Sequence, residues 1–256
     1  MQLSGIGKRI ALVTGAAGGI GRAVVAQLRA SGAVVVATDL QAPRVQNDAA
    51  LPAAHAMALD VGDANAVEAL VARIERDIGP IDLLAHVAGV LSTTCVHDTS
   101  DAEWRRVFAV NTDGPFHLGR ALARVMAPRR RGAMVLVGSN AAGIPRHAMA
   151  AYAASKAAAT MFMRCLGLEL APLGIRCNIV APGSTRTPMQ TGMWVDGNDE
   201  AHTIAGSPQT YKGGIPLGKL AEPGDVANAV LFLLSEQAGH ITMGDLYVDG
   251  GASLRG

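Results

Sequence analysis

Apolar residues fall along the chain in two rhythms. Short β-branched runs occupy 9–15 (RIALVTG), 33–39 (AVVVATD), 55–60 (HAMALD), 81–89 (IDLLAHVAG), 132–139 (GAMVLVGS), 174–183 (GIRCNIVAPG) and 244–251 (GDLYVDGG). They are apolar throughout rather than alternating, as strands covered on both faces read. Between them lie helical stretches such as 21–31, 63–79, 100–111, 150–172 and 222–237. Strand–helix–strand units repeated this often predict right-handed crossovers and a single-domain α/β fold. That fold is a doubly wound, Rossmann-like parallel sheet of about seven strands with helices on both faces. Two segments break the rhythm. Residues 40–53 carry little helical signal where a crossover helix is expected, and the glycine-rich stretch 183–218 is irregular. The second begins at the carboxyl end of a strand, where ligands of open α/β sheets bind, and predicts a substrate lid.

Composition adds mainly exclusions. The 256 residues, half of them hydrophobic, suffice for one large core, so a single domain over 1–256 is expected. A net charge of +1 without acidic or basic runs points away from nucleic acid and anionic membranes as partners. Cys95, Cys165 and Cys177 are far apart, and the seven histidines form no close pair, so neither a disulfide framework nor a metal site is expected. The amino terminus lacks a signal-peptide pattern and no run is long enough to span a membrane, which predicts a cytoplasmic protein.

Candidate chemistry begins at VTGAAGGIGR. Gly15, Gly19 and Gly21 follow the first strand and open the first helix. Glycine there lets the backbone turn tightly and approach a pyrophosphate, while the helix start offers unpaired N–H groups and a positive dipole end. Asp39 ends the second strand 18 residues beyond Gly21, the place of an acid that accepts hydrogen bonds from an adenosine ribose. Its charge would repel a 2′-phosphate and the loop residues Ala16 and Ala17 supply no cation, so NAD is favoured over NADP. A helix cap or turn is the alternative use of Asp39. Asp60 reads equally as an adenine contact or as a cap for the helix beginning near Asp63.

The helical stretch AAYAASKAAATMF places Tyr152 and Lys156 four residues apart, on one face. A neighbouring ammonium favours the phenolate, so this spacing predicts a tyrosine base with a lowered pKa. Packing is the competing account of an isolated Tyr/Lys pair. Ser139 ends the fifth strand thirteen residues earlier, and Asn111 lies in the helical region before it. Together with TGxxxGIG at 14–21 and the APG turn at 181–183, in order and nearly spanning the chain, these positions resemble the short-chain dehydrogenase/reductase family. The resemblance implies Tyr152 as general base, Ser139 orienting the substrate oxygen, Lys156 on the nicotinamide ribose and Asn111 holding a relay water. It also implies dinucleotide contacts from Ile20, Val61, Ala88, Gly89, Pro182 and Gly183, and a homotetramer built on the long helices and final strand. One departure stands out: His86 heads HVAG where the family usually has NNAG. It reads as a satisfied core histidine.

The second half resembles family members of catecholate siderophore pathways, through IPRHAM, APGSTRTPMQ, MWVDGND and GIPLGKLAEPGDVANAV. The implied substrate is a cyclic hydroxy acid, 2,3-dihydro-2,3-dihydroxybenzoate, whose oxidation yields an aromatic ring. Arg146, in the loop before Tyr152, is the candidate partner of its carboxylate. Met189, Gln190 and Trp194 are candidate ring contacts on the lid, with helical packing as their alternative. An amino-substituted ring acid, dihydro-3-hydroxyanthranilate, fits nearly as well. An NADPH-dependent ketoacyl reductase and a non-catalytic dinucleotide-binding scaffold are further alternatives.

Overall fold

The computed structural model describes residues 3–45, 50–194 and 199–254. The strands are β1 (Ile10–Thr14), β2 (Val34–Asp39), β3 (Ala54–Ala58), β4 (Ile81–His86), β5 (Gly132–Val137), β6 (Ile175–Pro182) and β7 (Asp245–Val248). They form one parallel sheet in the order β3-β2-β1-β4-β5-β6-β7. The helices are α1 (Gly19–Ala30), α2 (Ala64–Asp77), α3 (Asp101–Phe108), α4 (Gly114–Met126), α5 (Ala150–Leu170), α6 (Pro188–Thr191), α7 (Glu200–Ala205) and α8 (Pro223–Leu234). Successive residues of a strand point to opposite faces. Val13, Val35 and Leu83 therefore meet Val24, Leu28 and Val230 of α1 and α8. Their neighbours Leu12, Val36 and Leu84 meet Leu118, Leu122 and Met163 of α4 and α5. Two apolar faces on one strand explain why these runs do not alternate.

Local chemistry sets the helix starts. Asp63 caps α2 by accepting from the N–H groups of Asn65 and Ala66, and Ser100 caps α3 by accepting from Glu103. The start of α8 is a capping box between Glu222 and Asp225 with Pro223 in the first turn. The helical region read over 100–111 continues much further, through a π turn at Ala109–Asp113 into α4. Gly114 and Pro115 suggest a break, yet the backbone stays helical through Asp113 and Gly114, with the wider π turn just before the proline. The segment 40–53 carries no helix among its described residues, and 46–49 lie outside them. The segment 183–218 is less irregular than expected, since it holds α6, α7 and a 3-10 turn at Pro208–Thr210; residues 195–198 of the expected lid lie outside the described residues. Among the described residues no helix is long and apolar enough to cross a membrane.

The strand order reverses between β1 and β4. The crossovers lead away from that point in both directions, which leaves a crevice beyond the carboxyl ends of these two strands.

Candidate active site

Two confluent cavities occupy the crevice, of about 530 and 250 Å3, sharing Ile20, Val87, Gly89, Thr187 and Met189. The larger is walled by Gly15, Gly19, Ile20, Gly21, Asp39, Asp60, Val61, Ala88 and Gly89. The smaller is walled by Ser139, Arg146, Tyr152, Lys156, Pro182, Gly183, Met189 and Gln190. The fold thus brings together residues from the carboxyl ends of six strands, β1 to β6.

In the larger cavity Gly15 adopts φ +65°, and a Cβ there would lie 2.6 Å from the Ala88 nitrogen. A Cβ on Gly21 would fall on the Gly15 carbonyl, so both positions exclude any side chain. The start of α1, capped by Gly18, receives no side-chain hydrogen bond. Asp39 accepts from the Ala17 N–H and the Leu40 N–H, both at 2.9 Å, which ties the glycine loop to the end of β2. Asp60 does not cap α2, as one reading had it. It accepts from the Gly62 N–H at 2.9 Å and faces the cavity, because Asp63 has taken the cap.

In the smaller cavity Tyr152 is half-buried and hydrogen-bonds with Ser139, whose hydroxyl also accepts the Ala141 N–H at 3.1 Å. The Tyr152 phenol is raised above its ordinary value, not lowered as the helix spacing predicted: burial dominates, and the Ser139 hydrogen bond pulls only partly back. The Lys156 ammonium lies 5.9 Å from the ring centroid and donates to the Val137 carbonyl at 3.1 Å. Being 4% exposed, it is pushed down by burial to about 8. Asn111 lines neither cavity. Its amide donates to the Val90 carbonyl (2.8 Å) and to the Ser155 hydroxyl (3.0 Å), while its oxygen accepts the Val90 N–H (2.9 Å). Both amide hydrogens are therefore committed to holding the loop after β4, and the π turn around Asn111 aims the side chain there.

The predicted substrate residues divide. Arg146, Met189 and Gln190 line the smaller cavity, as does His147. Trp194 does not, and its buried indole N–H has no partner among the described residues. Lys212, Met193 and Ile215 line the cavity without having been foreseen, because nothing local marks them within a glycine-rich stretch. Lys212 is held by a two-sided backbone bridge to Ser207, with N–H···O distances of 2.8 and 3.0 Å.

The chain is similar to known proteins in both sequence and fold. The family model described as enoyl-(acyl carrier protein) reductase matches residues 15–253. A 2,3-dihydro-2,3-dihydroxybenzoate dehydrogenase of Bacillus subtilis is 53% identical over 259 residues, 99% of each chain. A vibriobactin-specific 2,3-dihydro-2,3-dihydroxybenzoate dehydrogenase of Vibrio cholerae is 43% identical over 95% of each chain. A solved structure titled short chain dehydrogenase/reductase family protein superposes with a TM-score of 0.82 at 31% identity, over the whole of both chains. The chain belongs to the short-chain dehydrogenase/reductase family.

A short-chain dehydrogenase uses a nicotinamide dinucleotide, and the larger cavity fits one. Its floor is glycine where a Cβ would collide, a helix start that receives no side-chain hydrogen bond faces it, and Asp39 lines it. The departure at His86 is only half satisfied. Nδ1 lies 2.7 Å from the Thr14 hydroxyl, which also accepts the Ala88 N–H at 3.3 Å, but the buried Nε2 has no partner among the described residues. Burial first, and the Lys156 charge second, push the imidazole down to about 3. His86 is therefore a neutral strut between β1 and β4.

Proposed function

We propose that this short-chain dehydrogenase oxidises a ring alcohol of 2,3-dihydro-2,3-dihydroxybenzoate to 2,3-dihydroxybenzoate with NAD, in catecholate siderophore biosynthesis. One observation carries the reading: the Ser139–Tyr152 pair shares its cavity with three cations, Arg146, Lys156 and Lys212, and with no carboxylate among the described lining residues. Such a cavity suits an alcohol that bears a negative charge. The names of the two dehydrogenase relatives support the same substrate. The acyl-carrier reductase description of the family model is the second reading, and the cationic lining speaks against its uncharged acyl thioester.

In the proposed reaction Tyr152 removes the hydroxyl proton and Ser139 hydrogen-bonds the oxygen as the carbonyl forms. Bound nicotinamide supplies the hydride acceptor. Lys156, anchored on Val137, offers its remaining N–H donors to ribose hydroxyls, and Asn111 keeps the adjoining loop in register. The ketone then tautomerises to the aromatic ring, which draws the reaction forward. The test is NADH formation, followed by absorbance, with the dihydroxy acid and with dihydro-3-hydroxyanthranilate supplied in turn. Faster turnover of the dihydroxy acid is expected. Preference for the amino acid selects that substrate instead, and NAD binding without turnover of either selects a scaffold.

Asp39 is the basis for NAD rather than NADP. Asp39→Asn keeps an oxygen for the Ala17 N–H but removes the charge that opposes a 2′-phosphate. The preference for NAD over NADP is expected to fall by about 10-fold or more, read as the ratio of dissociation constants; an unchanged ratio removes Asp39 from this role. We further propose a homotetramer. Phe116, Met161 and Leu168 expose apolar surface on α4 and α5, and Leu246 does so on β7. Light scattering at several concentrations tests it, and a monomer throughout rejects it.

A further inference from the structure

The smaller cavity has an electrostatic imbalance that neither the proton transfer nor the dinucleotide resolves. Arg146 arrives from the loop between β5 and α5, and Lys212 from the segment after α7. Both are half-buried, and among the described residues neither side chain has a hydrogen bond or an ion pair. Their charges act on each other: Lys212 is lowered first by burial and then by the Arg146 charge. Among the described residues the acid that acts on Arg146 is Asp249. Its carboxylate is already taken by Asn140 (3.2 Å), by the N–H groups of Gly251 (3.0 Å) and Ser253 (2.9 Å), and by the Ser253 hydroxyl. Two like charges held together without a counterion cost free energy, because each raises the cost of burying the other. A protein that maintains such a pair beside its reacting groups is built for an anion from outside.

We propose that Arg146 and Lys212 together form a two-cation subsite for the single carboxylate of a ring acid, and so fix which ring alcohol meets Tyr152. This rests on the substrate reading above and deepens it, since that reading counted Lys212 only as part of the cavity's overall charge and gave it no ligand atom. The geometry suits a carboxylate. A guanidinium fork engages both oxygens in their plane, and an ammonium is free to approach from another direction. The cavity of about 250 Å3 is small, which favours one substituted ring over an extended chain. The bridge between Ser207 and Lys212 holds the ammonium's backbone in place before any ligand arrives, so little ordering is needed on binding. Anion binding also relieves the repulsion between the two cations, so loss of either is felt specifically by charged ligands.

The experiment compares Lys212→Met, Lys212→Arg and Arg146→Met with the native enzyme in two assays. The first is the ratio of kcat/KM for 2,3-dihydro-2,3-dihydroxybenzoate to that for the uncharged cyclohexadiene diol lacking the carboxylate. Lys212→Met is expected to lower this ratio by about 10- to 100-fold, the worth of one charge-assisted hydrogen bond, and Lys212→Arg to recover most of it. A merely structural role for Lys212 would depress both substrates in parallel and leave the ratio intact, which overturns the proposal. The second assay is calorimetric titration of 2,3-dihydroxybenzoate onto each protein, independent of turnover. A dissociation constant about 10- to 100-fold weaker in both Met variants supports the subsite even if the native enzyme proves not to oxidise the dihydro acid. In that event the functional reading fails while the carboxylate subsite stands. Equal binding by native and Met variants, or no binding by the native enzyme, overturns the subsite itself.

Discussion

Tyr152→Phe is expected to lower kcat for oxidation of the dihydroxy acid by about 10^2- to 10^4-fold, the usual worth of a positioned general base. Dinucleotide affinity, read by fluorescence titration, should change far less. The pH dependence sharpens the test. Burial holds the phenol above its ordinary value in the free enzyme, so at neutral pH it carries its proton and must lose it to act as base. For alcohol oxidation kcat/KM should therefore climb as pH rises from neutral into the alkaline range. Phenylalanine has no proton to lose, and residual activity in the variant should lack that climb. If the variant keeps native kcat, or retains the same ascending limb, the base lies elsewhere. The environment of Tyr152 also differs from that of a simple phenol–ammonium pair. Lys156 sits 5.9 Å from the ring centroid, spends one donor on Val137 and is itself pushed down to about 8. Among the described residues it is the hydrogen bond with Ser139 that pulls Tyr152 toward the phenolate, so Ser139→Ala should move the ascending limb to higher pH.

A steep loss of stability in mild acid is the second large effect, and His86 is its source. The imidazole is neutral in the fold, with its pKa lowered from 6.5 to about 3. As pH falls below 6.5 the unfolded chain gains a proton that the folded chain refuses. The unfolded state then binds more protons, and stability falls with pH by about 1.4 kcal/mol for each pH unit, until about 3 is reached. The whole effect is of the order of a few kcal/mol, large beside the ~5–15 kcal/mol of a typical domain. Above 6.5 the group contributes no pH dependence. His86→Asn removes the titration and gives Thr14 an amide partner, so its urea midpoint should decline less steeply between pH 6 and 4 than that of the native chain. Acid-sensitive carboxylates elsewhere remain in both proteins and cancel in the difference. Equal slopes would mean that His86 is protonated in the folded state, contrary to its burial beside Lys156.

Much of this protein is legible one residue at a time. The seven strands follow from apolar runs without alternation, which arise because both faces of the five central strands are covered; the edge strands β3 and β7 are partly exposed. The phosphate loop is equally local: a strand, glycines at 15, 19 and 21, and a helix start are consecutive in the chain. The common face of Tyr152 and Lys156 follows from helix geometry alone. Sequence therefore determined the fold class, and it named in advance Gly15, Gly19, Gly21 and Asp39 of the larger cavity and Ser139, Tyr152 and Lys156 of the smaller. The continuation of the helical region through a π turn into α4 was less legible, because Gly114 and Pro115 resemble a break unless the π turn before them is known.

What only the tertiary structure decided are the quantities that depend on what surrounds a group. The direction of the Tyr152 shift turns on desolvation, which outweighs an ammonium that helix spacing alone brings near. Asn111 carries the family's residue type, yet its hydrogens are spent on Val90 and Ser155, which the chain brings to it from 21 residues before and 44 after. His86 resembles an ordinary core histidine until its second nitrogen is found without a partner. Lys212 carries no local signal whatever. It becomes a candidate anion ligand only because the fold sets it beside Arg146, 66 positions away in the chain, in a cavity whose described lining holds no carboxylate. Periodicity and turn chemistry are short-range, so sequence records them directly; burial and charge convergence are sums over neighbours that only folding assembles.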